Sequence, residues 1–263
     1  MDQPVTYGGY LRLDTLLGCQ EPRSQEHDEL LFIILHQTEE LWMKQLLHEI
    51  DVAQDAVEGG ELVPAYKHLA RVSRIQAVMT QTWDVLATMT PADYLNFRSV
   101  LGTSSGFQSA QFRALEYRLG LKDDSFLRFH PEGGAARAML EAALARPSFY
   151  DATLMQLAGA GFAIPRTAYE REPNAPYTAH EAVEAAWLEV YRDTSKHWAL
   201  YQLAEKLIDL DDAMLTWRHK HVLTVERVIG RKRGTGGTEG VGYLQQTLAK
   251  RAFPELWSLR TKL

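Results

Sequence analysis

The chain contains a single cysteine, Cys19, among 263 residues. One thiol excludes a disulfide within the chain, a zinc site built from several cysteines and haem attached covalently through a Cys-x-x-Cys-His motif. The sequence also lacks an apolar run of about 18 residues, the length that indicates a membrane-spanning helix. It has no segment with the basic and apolar regions of a signal peptide. We therefore expect a cytoplasmic protein with no membrane partner.

Positive charge is in the minority: 28 lysines and arginines stand against 34 aspartates and glutamates, for a formal net charge of −6. Nucleic-acid binding depends on a positive field, so we expect no nucleic-acid partner. Hydrophobic residues make up 46% of the chain, which is enough for a large core. No segment alternates apolar and polar residues as a strand does, and apolar residues instead recur at helical spacing. The predicted fold class is all-α.

Helix start and stop signals divide the chain. Ser24 is a candidate cap for a long helix that Gly59-Gly60 would end, and Thr90-Pro91 opens a short helix. Thr178 to Glu181 has the form of a capping box. The predicted helices cover 24–58, 61–88, 91–101, 107–119, 178–209, 217–229 and 241–252, with shorter ones within 121–177. We predict one all-α domain over residues 1–263, in which residues 1–23 form an irregular N-terminal arm.

A glycine-rich segment follows the last long helix, with six glycines between Gly230 and Gly242. Glycine permits positive φ and close approach of the backbone to a neighbour, so this segment suggests a loop that covers a ligand. It matches neither a dinucleotide fingerprint nor a phosphate-binding loop. His-Glu-x-x-His is absent, and none of the nine histidines follows a glutamate by three residues, as a di-iron bundle requires. Haem held by one histidine remains open.

Three histidines are candidate ligands or catalytic groups. His36 shares a helix face with Phe32 and Glu40, although a histidine at the edge of the core is an equally simple interpretation. His219 and His221 stand two apart on a helix, so they face about 200° apart and cannot bind one metal together. One of these two is an ordinary solvated histidine.

Two further segments have the residue types of a binding site. Arg98 and Tyr94 lie four apart on one short helix, a pairing that suits a two-pronged grip on a carboxylate. The alternative is a surface arginine with an acidic neighbour. The loop from Gly102 to Gly106 is rich in hydroxyls and backbone donors, and plain helix capping explains it equally well.

Taken together, these segments resemble the tryptophan 2,3-dioxygenase family. The resemblance extends from about residue 6 to residue 261 and includes these strings: Tyr7-Gly8-Gly9-Tyr10-Leu11, Leu31-Phe32-Ile33-Ile34-Leu35-His36-Gln37-Thr38, Phe97-Arg98, Ser104-Ser105-Gly106-Phe107-Gln108, Arg233-Gly234-Thr235-Gly236-Gly237 and Phe253-Pro254-Glu255-Leu256-Trp257. It implies a cytoplasmic, all-α homotetramer with one haem b per subunit, ferrous in the active state. Such an enzyme opens the indole ring of L-tryptophan with O2 to give N-formylkynurenine, the first step of tryptophan breakdown by the kynurenine route. A non-catalytic haem sensor and an indoleamine dioxygenase of broader substrate range are the alternatives.

The resemblance also implies roles for residues at the haem and between subunits. His221 falls at the proximal iron ligand, whereas His219 does not. Ser105 and Gly106 fall at the distal face of the haem. Three residues of the arm are implied to complete the substrate pocket of a neighbouring subunit: Tyr7, Tyr10 and Leu11.

The same resemblance assigns five residues to the substrate. His36 is the expected catalytic histidine, beside the indole N–H. Arg98, with Tyr94 near it, is expected to bind the carboxylate, and Thr235 to meet the ammonium group. Phe32 would form a wall of the pocket.

Overall fold

The structure is a computed structural model that describes residues 5–237 and 239–263. Within these residues there is no strand, so the prediction of an all-α fold is confirmed. The α-helices are α1 (Tyr7–Leu11), α2 (Leu13–Leu17), α3 (His27–Glu58), α4 (Leu62–Leu86), α5 (Pro91–Phe97), α6 (Ala110–Arg118), α7 (Ala135–Ala145), α8 (Phe149–Gly159), α9 (Arg166–Tyr169), α10 (Glu181–Arg192), α11 (Trp198–Ile229), α12 (Val241–Thr247) and α13 (Pro254–Ser258). Short 3₁₀ helices lie at Arg98–Leu101, Gly106–Gln108, Asp124–Phe129 and Leu259–Thr261.

The three longest helices, α3, α4 and α11, form the centre of the fold, with α4 packed against both others. On α3, fully buried Leu46, Ile50, Ala53 and Val57 recur every three or four residues, so they occupy one face of the helix. α3 and α4 are joined by the turn that includes Gly60, whose φ of 75° favours glycine. Among the described residues no helix is long and apolar enough to cross a membrane.

The predicted break between residues 209 and 217 is wrong, because α11 runs without interruption from Trp198 to Ile229. No glycine or proline occurs in that stretch to end a helix. The break lies earlier, at Asp193, whose backbone leaves the helical region at φ −131° and ψ 69°. Its carboxylate accepts a hydrogen bond from the Lys196 backbone N–H, a local bond that competes with continued helix. His221 is therefore carried by the same 32-residue helix that packs against α4.

The predicted helix starts also need correction. Ser24 does not cap α3: its backbone N–H and hydroxyl both donate to the Glu29 carboxylate, and the helix begins at His27. The cap of α10 is the His180 ring, which accepts from the Ala182 N–H, rather than Thr178. By contrast, Thr90 forms the expected reciprocal capping box, at the start of α5. The third and fourth predicted helices are each divided into a 3₁₀ and an α segment.

Within its described residues, the N-terminal arm is helical over α1 and α2 and not irregular: Thr6 caps α1, and Arg12, at φ 52°, separates α1 from α2. Helices this short bury little surface of their own. Tyr7 and Tyr10 are each 77% exposed and Leu11 is 41% exposed. The apolar side chains of the arm are thus left uncovered by their own chain.

Candidate functional site

One cavity gathers most of the predicted site residues, between α3, α4, α11 and the glycine-rich loop. Its volume is about 1480 Å³, a figure that includes the open space at its mouth. The sequence-predicted residues that line it are Phe32, His36, Tyr94, Ser105, Gly106, His221 and Thr235. Arg98 does not line this cavity, and neither do Tyr7, Tyr10 or Leu11.

His221 presents an imidazole in its uncharged form. Its ring stacks on Trp83, with centroids 4.5 Å apart and planes 15° apart, and lies 5.3 Å from the Trp217 ring. Burial, with a smaller effect of nearby His36, lowers the pKa of His221 to about 3. No hydrogen bond to either ring nitrogen is found among the described residues. A neutral imidazole with an available lone pair is the form of histidine that binds a metal.

His36 offers a hydrogen-bond acceptor to the same cavity. Its Nδ1 lies 2.7 Å from the Phe32 backbone oxygen. A carbonyl oxygen only accepts, so Nδ1 carries the proton and Nε2 of the neutral ring is an acceptor. Burial lowers the pKa of His36, which favours this neutral form. The Phe32 ring packs against the imidazole, with 4.2 Å between the ring centroids, and restricts the orientation of the imidazole.

Arg98 lies in a depression beside the cavity, and Gly234 and Thr235 line both spaces. Its guanidinium donates to the Arg233 backbone oxygen over 2.5 Å, and its charge lies near the Tyr94 phenol. Burial raises the pKa of the Tyr94 phenol, and the Arg98 charge opposes that rise. Arg98 thus stands at the mouth of the cavity, beside Thr235, with further N–H groups for a ligand.

The glycine-rich loop closes one side of the cavity through close backbone contacts. A Cβ on Gly236 would lie 2.1 Å from Cε1 of Phe107 and 2.7 Å from Cβ of Ser105, so only glycine fits there. The Thr235 hydroxyl donates to the Ser104 backbone oxygen. The close approach that the glycines suggested is therefore made to the Ser104–Phe107 segment of the protein itself.

Sequence reasoning missed a buried charged cluster in the cavity wall. The Glu116 carboxylate pairs with both Arg113 and Arg218, and all three residues are at most 4% exposed. Two guanidinium groups against one carboxylate leave an excess positive charge, and Nε of Arg218 has no hydrogen-bond partner. The i,i+3 spacing of Arg113 and Glu116 was the only sequence signal, and it is typical of exposed helix pairs as well.

Comparison with known proteins identifies the family. The sequence model of tryptophan 2,3-dioxygenase matches residues 1–136 and 174–263. The chain belongs to the tryptophan 2,3-dioxygenase family. A curated tryptophan 2,3-dioxygenase of Caulobacter vibrioides is 65% identical, over 100% of both chains. That of Ralstonia pickettii is 54% identical and that of Bacillus cereus 51%, each over 98% of this chain and 93% of the relative. The family resemblance found in the sequence is thereby confirmed.

Proposed function

We propose that this chain is a haem-dependent tryptophan 2,3-dioxygenase that opens the indole ring of L-tryptophan with O2 to give N-formylkynurenine. The observation that carries the proposal is one cavity holding two neutral imidazoles from different helices, His36 of α3 and His221 of α11. Arg98 and Thr235 stand at its mouth and suit the two charges of an amino acid. Family membership supports the same activity.

The cavity suits haem b in its chemistry. His221 would hold the haem iron, and the indoles of Trp83 and Trp217 give its imidazole an aromatic surrounding. The Arg113–Glu116–Arg218 cluster has an excess positive charge, and Nε of Arg218 has no hydrogen-bond partner. Both features favour binding of the haem carboxylates. Ser105 and Gly106 would face its distal side. When bound, haem supplies the activation of O2, which protein side chains cannot provide.

The side chains of the protein bind and orient the amino acid. Arg98 pairs with the substrate carboxylate beside Tyr94, and Thr235 binds the ammonium group. Nε2 of His36 accepts the indole N–H, and Phe32 packs against the ring. Holding both ends of the substrate fixes the indole in one place, which lowers the entropic cost of the reaction.

A spectroscopic experiment tests this function. Purified protein loaded with haem is reduced without air, and tryptophan and then air are added while the spectrum is followed. We expect a haem Soret band and tryptophan-dependent formation of N-formylkynurenine. A protein that binds haem but forms no product would support a sensor instead. Equal turnover of tryptophan and other indoleamines would support an indoleamine dioxygenase of broader substrate range.

His36→Ala is expected to reduce activity without abolishing it, since the proposed role is orientation of the indole. One hydrogen bond contributes about 0.5–1.5 kcal/mol, so kcat/KM should fall roughly two- to twelve-fold. The matched control is tryptophan methylated at the indole nitrogen, which has no N–H to donate and should be insensitive to the change. A variant that binds O2 and tryptophan normally but is inert would make His36 an essential acid or base.

The proposed assembly is a cytoplasmic homotetramer of single-domain chains, in which residues 1–23 form an arm that completes a neighbour's substrate pocket. It is supported by the exposed Tyr7 and Tyr10, since large uncovered apolar side chains mark interaction sites. Within one chain the depression that holds Arg98 is open, and it shares Gly234 and Thr235 with the cavity.

Deleting residues 1–12 should raise the KM for tryptophan steeply while haem content stays unchanged. Truncating a well-buried interface aromatic costs about 2 kcal/mol or more, so we expect an increase of roughly 30-fold or more. The matched control is Leu17→Ser, which alters an arm residue that is 71% exposed and has no implied role in the pocket. A fully active monomer in light scattering would contradict the arrangement.

A further inference from the structure

Glu39 is a buried carboxyl group of the cavity wall to which none of the roles above is assigned. It lies on α3 three residues after His36 and is only 3% exposed. Its Oε2 accepts a hydrogen bond from the Trp217 indole N–H over 3.1 Å, and its Oε1 is hydrogen-bonded to the Thr82 hydroxyl. Glu39 therefore ties together α3, α4 and α11, the three helices that surround the cavity.

The Thr82 hydroxyl can serve Glu39 either as a hydrogen-bond donor or as an acceptor. The Thr82 hydroxyl has one hydrogen but two oxygens within bonding distance, Glu39 Oε1 and the Met79 backbone oxygen at 2.7 Å. When that hydrogen goes to Met79, the contact with Glu39 needs a proton on the carboxyl group. No salt bridge to Glu39 is found within the described residues, and burial raises the pKa of Glu39 to about 7. The carboxylate accepts from both Trp217 and Thr82, and the neutral acid can instead donate to Thr82 while that hydroxyl donates to Met79.

The two hydrogen-bond partners of Glu39 are, or stand next to, tryptophans whose rings pack against His221. Trp217, its direct partner, lies 5.3 Å from the His221 imidazole, one turn away on α11. Thr82, its other partner, precedes Trp83, which stacks on the same imidazole at 4.5 Å. The two indoles also touch each other edge to face, at 5.4 Å between centroids. The His221 ring thus packs against two indoles, of which Glu39 binds Trp217 directly and is hydrogen-bonded to the residue next to Trp83.

We infer that Glu39 is a positioning residue that holds the His221 imidazole in its iron-binding orientation through Trp217 and the Thr82–Trp83 segment. The inference rests on the proposed function, because it takes His221 as the iron ligand. Groups that orient a metal-binding histidine commonly change metal affinity 10–100-fold when they are removed, although they never touch the metal. A role confined to fold stability would leave the iron–histidine bond unchanged.

The test compares Glu39→Met, which makes neither hydrogen bond, with Glu39→Gln, whose amide can donate to Thr82 and accept from Trp217. The readouts are the haem dissociation constant and the iron–histidine stretching band of the reduced, tryptophan-free holoenzyme in resonance Raman spectra. We expect Glu39→Met to weaken haem binding about 10–100-fold and to shift or broaden the band. Glu39→Gln should restore both readouts.

Gln76→Met is the matched control. Gln76 is 3% exposed and donates from α4 to the Leu210 backbone oxygen of α11 over 3.2 Å, outside the cavity wall. The Gln76→Met substitution removes a buried hydrogen bond between α4 and α11, two of the helices that Glu39 connects. We expect it to leave the iron–histidine band unchanged. If Gln76→Met moves the band as far as Glu39→Met does, helix packing in general is responsible and the inference is overturned.

Further variants keep the inference falsifiable and separate it from the proposed function. If Glu39→Met does not fold, Thr82→Val and Trp217→Phe each remove one of the two bonds and should each shift the band by part of the full effect. An unchanged band in both overturns the inference. Wild-type protein and His221→Ala are measured alongside. A wild-type protein without an iron–histidine band contradicts the proposed function, whereas a normal wild-type band that Glu39→Met leaves unaltered contradicts only the role of Glu39.

Discussion

His221→Ala is expected to abolish axial ligation of the haem iron and to lose most of the bound haem, whereas His219→Ala should keep both. The His221 ring lies in the cavity against two indoles, and burial lowers its pKa so that the imidazole is neutral. His219 is exposed, on a side of α11 about 200° away. The measurements are haem content after purification and the five-coordinate histidine spectrum of the reduced protein.

The His221 variant also allows a rescue experiment. Alanine leaves space where the imidazole was, so free imidazole added to the reduced haem protein should restore a histidine-like spectrum. Circular dichroism of both variants checks that α11 is intact. If His219→Ala loses haem and His221→Ala keeps it, the assignment of the ligand is wrong.

The long helices of this fold could be predicted because their signals are local. α3 and α4 were placed within about three residues of their observed ends by apolar spacing and the Gly59-Gly60 turn. The errors came where a single side chain decides a boundary. The Asp193 carboxylate ends a helical stretch by bonding the Lys196 N–H, and aspartate within an otherwise helical pattern is not a strong stop signal.

Most of the site residues predicted from the sequence line the cavity, but the sequence did not predict how the fold arranges them. The string Phe32 to Thr38 and the loop around Thr235 are rare enough to indicate a family, and the structure brings both to one cavity. Glu39 and the Arg113–Glu116–Arg218 cluster were missed, because a charged residue on a helix usually faces solvent. Only the packing of α3, α6 and α11 turns these charged residues inward, and that packing is not encoded in any one segment.

The two residues proposed to hold the charges of the amino acid, Arg98 and Thr235, already have hydrogen-bond partners within the protein. Arg98 donates to the Arg233 backbone oxygen, and the Thr235 hydroxyl donates to the Ser104 backbone oxygen. Both residues that would hold the substrate charges therefore also bond the glycine-rich loop or the segment next to it. A carboxylate is a stronger acceptor for a guanidinium than a backbone carbonyl is, so substrate can compete for Arg98. Substrate binding by Arg98 and Thr235 would therefore be coupled to the position of the loop.

Arg98→Ala is expected to lower kcat/KM for L-tryptophan by roughly 30- to 4,000-fold, because losing one partner of a desolvated charge pair costs about 2–5 kcal/mol. Arg98→Lys should recover only part of this loss, since lysine cannot make the two-pronged contact with a carboxylate. Tryptamine, which has no carboxylate, should be a very poor substrate of the wild-type enzyme and should be affected much less by either substitution.

Arg233→Ala is the matched control for the Arg98 experiment. Arg233 lines the same depression and carries the same charge, but it contacts Arg98 through its backbone oxygen, which alanine retains. A clamp formed by Arg98 itself predicts a small effect of Arg233→Ala, reduced further at high salt because exposed charges are screened. If Arg233→Ala costs as much as Arg98→Ala, or if tryptamine and L-tryptophan have comparable kcat/KM, the carboxylate is recognised by the general positive field at the mouth of the cavity and not by Arg98.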